Sequence, residues 1–304
     1  MTAPAEGSSI PVALTIAGID PSGGAGVIAD VRTFTAFGCF ATAAITSLTF
    51  QNTTGVFGAL HQTPETVRAQ VTPIIEDFNV SCAKTGMLPT RKVIAEVARL
   101  FREMPLPAPV VDPVMRATSG DDLIDDDAVS SLVADLFPLA LLVTPNIPEA
   151  ERLTGLNITD ESGMRQAARI IREMGARAVL VKGGHLASRQ KAEGGRQRAD
   201  GSRQETAIKD AREASAVSEH AIDVLDNEGR VTTFRAEFIA GGEVHGSGCT
   251  LSAAIAACLG KGQILEEAIQ AAKIFVTEAI RRSPSLGHGA RPVYNDLRHH
   301  TLGS

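Results

Sequence analysis

Short apolar runs that end in Gly, Pro or Asn alternate along the chain with longer amphipathic segments. That alternation predicts βα units building a sheet with helices on its faces. Residues 12–17 read as the first buried strand, and residues 41–48, 110–111, 139–143 and 178–181 as further ones, rich in the Val, Leu and Ile expected of strands covered on both sides. After the first strand, Gly18 to Gly26 form a loop whose glycines let backbone approach a ligand, followed by a helix to about Phe37. Residues 221–225 and 231–234, separated by Asp226-Asn227-Glu228-Gly229-Arg230, read as a hairpin. An Ala-rich helix then opens at Gly246–Cys249 and runs to about Leu259, and another runs from Leu265 to about Arg282.

Three strands end in polar residues: Gln51-Asn52, Asp112-Pro113 and Thr144-Pro145-Asn146. In open α/β sheets the ligand crevice lies at the carboxyl ends of the strands, so these residues stand where a site belongs. Taken singly, each reads equally as a turn residue or a helix cap.

Composition sets the class without naming a function. A chain of 304 residues with 44% hydrophobic and 21% charged side chains can bury a sizeable core. A net charge of −6 without any Lys/Arg stripe argues against a nucleic-acid surface, and the absence of Trp with a single Tyr leaves few stacking platforms. Cys39, Cys82, Cys249 and Cys258 contain no C-x-x-C pair, so reduced thiols are expected, the three in apolar context being structural. Residues 1–9 lack the features of a secretory leader, and no apolar run reaches the roughly 18 residues of a membrane span, which points to the cytoplasm. With no repeat and no linker, the expected organisation is a flexible N-terminus over 1–11, one α/β domain over 12–294, and a tail over 295–304. Residues 187–219 mix charges of both signs without apolar periodicity and read as an exposed insertion.

Common phosphate devices can be tested directly. The single Gly-Lys pair, Gly260-Lys261, is followed by Gly262, so there is no P-loop. Gly246-Ser247-Gly248 lacks the third glycine of a dinucleotide fingerprint, and His245 stands where a nucleophile elbow needs Gly. What remains is a glycine turn feeding a late helix. Its first backbone N–H groups, at Gly246, Ser247, Gly248 and Cys249, would face an anion together with the positive end of the helix dipole. Such a hole suits phosphoryl transfer, in which the protein chiefly positions reactants and stabilises charge; tight packing is the alternative reading. Cys249, in the first helical turn, is expected to have a lowered thiol pKa and to accept a proton there.

The motifs Asp20-Pro21-Ser22-Gly23-Gly24-Ala25-Gly26, Gln51-Asn52-Thr53, Lys84-Thr85-Gly86-Met87-Leu88, Asp112-Pro113-Val114-Met115, Thr144-Pro145-Asn146 with Glu149, Lys182-Gly183-Gly184-His185 and His245 to Ala254 occur in one order. Together they resemble the hydroxymethylpyrimidine/phosphomethylpyrimidine kinases of thiamine biosynthesis, a ribokinase-like branch, over about residues 12–294 outside the insertion. The resemblance implies a three-layer α/β/α domain with a mostly parallel sheet, ATP with Mg²⁺, two successive phosphorylations of a pyrimidine and a homodimer. It implies Gly18, Asp30, Gln51 and Met87 around the pyrimidine, where the Gln51 amide offers both a donor and an acceptor. Asp112 and Glu149 would hold Mg²⁺, and Asn146, Lys182 and Lys273 would meet nucleotide phosphates. Gly246, Ser247 and Gly248 would form the anion hole, with Cys249 as proton acceptor.

One departure stands out. The family usually continues Asp-Pro-Val-Met with Val-Ala-Lys-Ser-Gly, whereas here Arg116-Ala117-Thr118-Ser119-Gly120 follows, with Thr118 in place of the lysine. Two alternatives remain open on the sequence: a pyridoxine/pyridoxal kinase, and a non-catalytic pyrimidine-binding sensor that has kept the fold.

Overall fold

A computed structural model describes residues 10–116, 120, 123–184, 220–239 and 244–294. The expected insertion, Thr118, His185 and the tail over 295–304 lie outside the described residues. Nine strands form one sheet in the order β3-β2-β1-β4-β5-β6-β7-β8-β9. In chain order these are β1 (Val12–Ile19), β2 (Phe40–Asn52), β3 (Gly55–His61), β4 (Val80–Thr85), β5 (Val110–Val111), β6 (Leu142–Val143), β7 (Ala178–Lys182), β8 (His220–Asn227) and β9 (Arg230–Glu237). From β2 through β7 every neighbouring pair is parallel, and the antiparallel strands β3, β8 and β9 lie at the two edges.

Alternation along the central strands places one apolar residue on each face in turn. Val110, Leu142, Ala178 and Leu180 enter one core, and their neighbours Val111, Val143, Val179 and Val181 enter the other. Helix α1 (Gly26–Ala36), together with α7 (Ser247–Gly260) and α8 (Leu265–Arg281), covers the first face through Phe34, Ile255 and Phe275. Helices α2 (Pro64–Asp77), α3 (Arg91–Glu103), α4 (Asp126–Ser131), α5 (Ile147–Thr154) and α6 (Glu161–Glu173) cover the second. This is the α/β/α arrangement expected. Among the described residues no helix is long and apolar enough to cross a membrane.

Several expectations shift in detail. The second strand runs on to Asn52, so Gln51 is paired in a ladder opposite Val56 rather than lying in a turn. Strands β3 and β4 were not anticipated. Of residues 139–143 only Leu142 and Val143 form a strand, because a π turn over Leu132–Leu136 and a 3₁₀ turn over Phe137–Leu139 precede them. The hairpin of β8 and β9 forms as expected, with longer arms.

Candidate active site

Side-chain caps mark where the fold needs its helix ends for itself. Thr63, Thr90, Asp125, Asn146 and Asp160 each accept a hydrogen bond from an amide in the first turn of α2 to α6. Helices α1 and α7 carry no such cap, as is also true of α8. The starts of α1 and α7 open into one cavity of about 1180 Å³ at the carboxyl ends of the parallel strands.

The turn at α7 is built by glycine. Gly246 has φ +87°, and a Cβ there would stand 1.8 Å from the Gly24 carbonyl oxygen. The first helical bond runs from Thr250 N to Gly246 O, at 2.9 Å. Ahead of it, the amides of Ser247, Gly248 and Cys249 lie in a first turn that no intrahelical carbonyl satisfies. A Cβ on Gly248 would approach Lys182 Nζ to 3.0 Å, so an ammonium stands directly over the turn.

Lys182 is held by Asp112, whose Oδ1 accepts from its Nζ at 2.9 Å and whose Oδ2 accepts from Ser252 Oγ of α7 at 3.2 Å. Although burial opposes it, the Lys182 and Lys84 charges hold the Asp112 carboxyl below its ordinary value. Asn146 and Glu149 form a reciprocal capping box at the start of α5: Asn146 N donates to Glu149 Oε2 at 2.8 Å, and Glu149 N to Asn146 Oδ1 at 2.9 Å. Burial raises the Glu149 carboxyl to about 7; the Lys182 charge opposes the rise and Asp112 adds to it. Two oxygen donors with coupled charge suit a divalent cation that keeps several waters. No cluster of three or more metal-ligating side chains occurs among the described residues.

The cavity gathers the expected residues with one exception. Gly18, Gln51, Met87, Asp112, Asn146, Glu149, Lys182, Lys273 and Gly246 to Cys249 all line it. Gly18 packs closely on Met87, whose Sδ would lie 3.1 Å from a Cβ placed there. Asp30 does not line the cavity. It faces inward from α1, fully buried, with its carboxylate closed by Lys84 and Thr15. Lys273 is neither solvated nor free to roam, because α8 buries it against Asp223, which also accepts from Gly183 N at 3.0 Å.

The expectation for Cys249 is corrected. The residue keeps partial exposure, yet burial pushes its thiol up to about 11; the Lys84 charge and a hydrogen bond from Gly26 pull against that, and the Asp112 and Asp30 carboxylates reinforce it. Desolvation and two anions outweigh the helix terminus. Cys39, Cys82 and Cys258 are buried free thiols, as expected.

Two features beside the cavity were not assigned from sequence. One is the buried Lys84, near the end of β4. The other is the contact of Asp20 with His245 at 2.8 Å, joining the loop after β1 to the residue before Gly246. Both lie in motifs already conspicuous in the sequence, Lys84-Thr85-Gly86 and His245-Gly246-Ser247-Gly248, but their pairing is visible only in three dimensions.

A mostly parallel sheet covered on both faces, with an uncapped glycine turn opening onto a lysine and two acids at its strand ends, is the architecture of the ribokinase-like small-molecule kinases. The comparisons narrow that class. Residues 20–294 match the family model described as phosphomethylpyrimidine kinase. The chain is 39% identical over 287 residues to the hydroxymethylpyrimidine/phosphomethylpyrimidine kinase of Haemophilus influenzae, covering 94% of this chain and 96% of that one. It is 42% identical over 284 residues to the thiamine biosynthesis bifunctional protein ThiED of Geobacter sulfurreducens, covering 93% of this chain but only 52% of that longer relative. Among solved structures, the ADP complex of Bacillus subtilis pyridoxal kinase superposes with a TM-score of 0.78 at 33% identity, covering 95% of this chain and 99% of that one. The chain belongs to the phosphomethylpyrimidine kinase family.

Proposed function

We propose that the protein transfers the γ-phosphoryl group of ATP to the hydroxymethyl group of 4-amino-5-hydroxymethyl-2-methylpyrimidine, and then phosphorylates the monophosphate to the diphosphate. The observation that carries this reading is that one cavity is lined both by Gln51 and Met87 and by Lys182 and the Gly246–Gly248 turn. Gln51 hydrogen-bonds the aminopyrimidine edge, and Gly18 admits the ring beside Met87. The amides of Ser247 and Gly248, with Lys182 above them, take the charge of the transferring phosphoryl oxygens. The Asn146 amide, its Oδ1 engaged in the cap, turns its N–H groups to phosphate. The Asp223–Lys273 pair orders the nucleotide end. Asp112 and Glu149 hold Mg²⁺, which when bound neutralises and orients the polyphosphate. Cys249 accepts the acceptor's hydroxyl proton as the thiolate. The enzyme works in the cytoplasm, where ATP is supplied.

ADP release measured with the hydroxymethylpyrimidine, and then with its monophosphate, tests class and substrate together. Release with both supports the reading; release with pyridoxal alone overturns it. Pyridoxal is the second candidate because the Bacillus subtilis pyridoxal kinase superposes over nearly its whole length.

The active species is a homodimer formed through the β2–β3 hairpin. Leu48, Phe50 and Leu60 share one exposed face there, Leu48 paired with Leu60, and Phe57 is 70% exposed nearby. Sedimentation of a Phe50→Asp/Leu60→Asp variant tests it; an unchanged sedimentation coefficient removes this interface.

A further inference from the structure

Lys84 and Asp30 form an ion pair that water does not reach, with both side chains 0% exposed. Lys84 Nζ donates to Asp30 Oδ1 at 2.9 Å and to Oδ2 at 2.8 Å, and Thr15 Oγ1 donates to Oδ2 at 2.7 Å. Three donors from β1 and β4 thus lock the carboxylate, and the carboxylate locks the ammonium. Stability is a poor reason for such a pair, because well-packed apolar residues of similar size commonly serve a core equally well or better.

Position supplies a better reason. Lys84 lies near the end of β4 and lines the cavity beside Gly18, Asp112 and Cys249. Gly86 keeps the space around it clear, since a Cβ there would come within 3.0 Å of Nζ. An ammonium has three N–H groups, of which Asp30 takes two, so its charge is fixed in place behind the cavity wall. Lys84 and Cys249 also lie close enough for their charges to act on each other.

We propose that Lys84 is a positioning residue of the phosphoryl-transfer centre, whose charge, anchored by Asp30 and Thr15, stabilises the negative charge shared by Cys249 and the acceptor oxygen. During transfer the acceptor oxygen forms its bond to the γ-phosphorus. The bond from that phosphorus to the bridging oxygen breaks, and its electron pair leaves on ADP. The hydroxyl proton passes to the Cys249 sulfur. Lys84 neither gives nor takes a proton, so its charge stays constant while negative charge moves from sulfur through oxygen to phosphate. Lys182 serves the phosphate side of the same centre. The two ammoniums then bracket the reacting atoms, and neither needs to reorganise during the reaction.

This inference rests on the kinase activity proposed above. The test compares Asp30→Asn with the double variant Lys84→Met/Asp30→Asn, reading ADP release, acceptor affinity by calorimetry and thermal unfolding. Asp30→Asn keeps the ammonium, whereas the double variant removes both charges together. The expected order of turnover is wild type, then Asp30→Asn, then the double variant, which loses about a hundredfold or more in kcat. Acceptor affinity stays within about threefold, separating lost transition-state stabilisation from lost binding. A pair that serves only the fold gives the opposite order, because Asp30→Asn strands a buried cation and the double variant does not. Turnover of the double variant near wild type, or above that of Asp30→Asn, overturns the proposal. Failure of the double variant to fold assigns the pair to stability and also overturns it. Absence of acceptor-dependent ADP release from the wild type instead defeats the kinase reading itself.

Discussion

His245 Nε2 and Asp20 Oδ2 lie 2.8 Å apart across 225 positions of sequence, and this one bond ties the loop after β1 to the turn that opens α7. Asp20 is also the organiser of its own loop: Oδ1 accepts from Ser22 N at 2.8 Å and Ser22 Oγ at 2.7 Å, and Oδ2 accepts from Ala25 N at 2.9 Å. The opposite side of the contact is set by Gly24, where a Cβ would come within 2.4 Å of the His245 ring. The strap that follows α8 completes the arrangement. Ala290 N donates to Thr53 O at 2.9 Å, and Val293 N to His245 O at 3.1 Å, so the β2–β3 turn, the strap and the anion-hole turn share one framework.

Asp20 makes that framework sensitive to acid. Burial works to raise its carboxyl, but the hydrogen bonds from His245 and Ser22 win and hold it at about 2, against 3.8. A carboxyl depressed in the folded state contributes stability above the unfolded value, and that stability is lost as pH falls from 3.8 through about 2. The difference amounts to about 2 kcal/mol at neutral pH. Asp20→Asn is therefore expected to lower the unfolding free energy by about that amount at pH 7, with the gap to wild type closing below pH 4. Urea titrations at both pH values check it; a gap independent of pH counts against the carboxylate as the cause.

Gly246→Ala is expected to abolish the anion hole rather than weaken it. The backbone there is left-handed, which costs a side-chain-bearing residue about 1–2 kcal/mol. The greater obstacle is the Gly24 carbonyl oxygen, 1.8 Å from where the new Cβ would lie, because a backbone atom cannot rotate aside. The turn must move, taking the Ser247 and Gly248 amides with it. ADP release should fall by about a hundredfold or more while acceptor binding at Gln51 persists. Turnover within about tenfold of wild type would show that the turn tolerates the shift.

How much of this was legible in the chain follows from what each residue encodes locally. The Gly246–Cys249 turn was legible because two glycines at the head of an Ala-rich helix have few structural uses. Asp112 was legible as the polar end of an apolar run, whereas Lys182 entered only through the family resemblance. Asp30 was not, because position on a helix does not reveal which face is buried, and its partner Lys84 lies 54 residues away. Strand β4 was not anticipated because Val80-Ser81-Cys82-Ala83-Lys84-Thr85 alternates too weakly, its lysine being buried only by virtue of that ion pair. The thiol of Cys249 was assigned the wrong direction for the same reason: the helix terminus is local, whereas burial and the carboxylates of Asp112 and Asp30 are contributed by distant segments.

Glu149 should make metal binding depend on pH near neutrality. Its carboxyl is raised from 4.5 to about 7 by burial, and the neighbouring Asp112 charge adds to the rise. In the folded protein it therefore retains a proton that the unfolded chain has lost, so its burial costs stability as pH climbs from 4.5 through about 7. A divalent cation must displace that proton. Apparent Mg²⁺ affinity is expected to rise with pH up to about 7 and then level. Glu149→Gln can keep the capping box, since Gln serves at that position, while flattening the pH dependence and weakening the metal. Titration with Mn²⁺ followed by electron paramagnetic resonance from pH 5.5 to 8.5 reads both effects. The same slope in wild type and variant would remove Glu149 from the metal site.

Cys249 and Gln51 should separate turnover from binding. A thiol held near 11 by burial is mostly protonated at neutral pH, and only its thiolate can accept the acceptor's proton. If Cys249 is that base, wild-type kcat rises by about tenfold per pH unit between pH 7 and 10, because the thiolate fraction does. Cys249→Ala should lose about a hundredfold or more in kcat and lose the slope with it, while acceptor affinity stays close to wild type. Gln51→Ala should do the reverse. Truncating the amide leaves buried groups of the bound pyrimidine without partners, weakening acceptor binding by about 1–3 kcal/mol while the pH slope of kcat remains. Calorimetry for acceptor binding and coupled assay of ADP across pH supply both halves of the comparison. A flat wild-type profile, or a Cys249→Ala enzyme that keeps the slope, would move the proton elsewhere, and the phosphate itself would then be the nearest base.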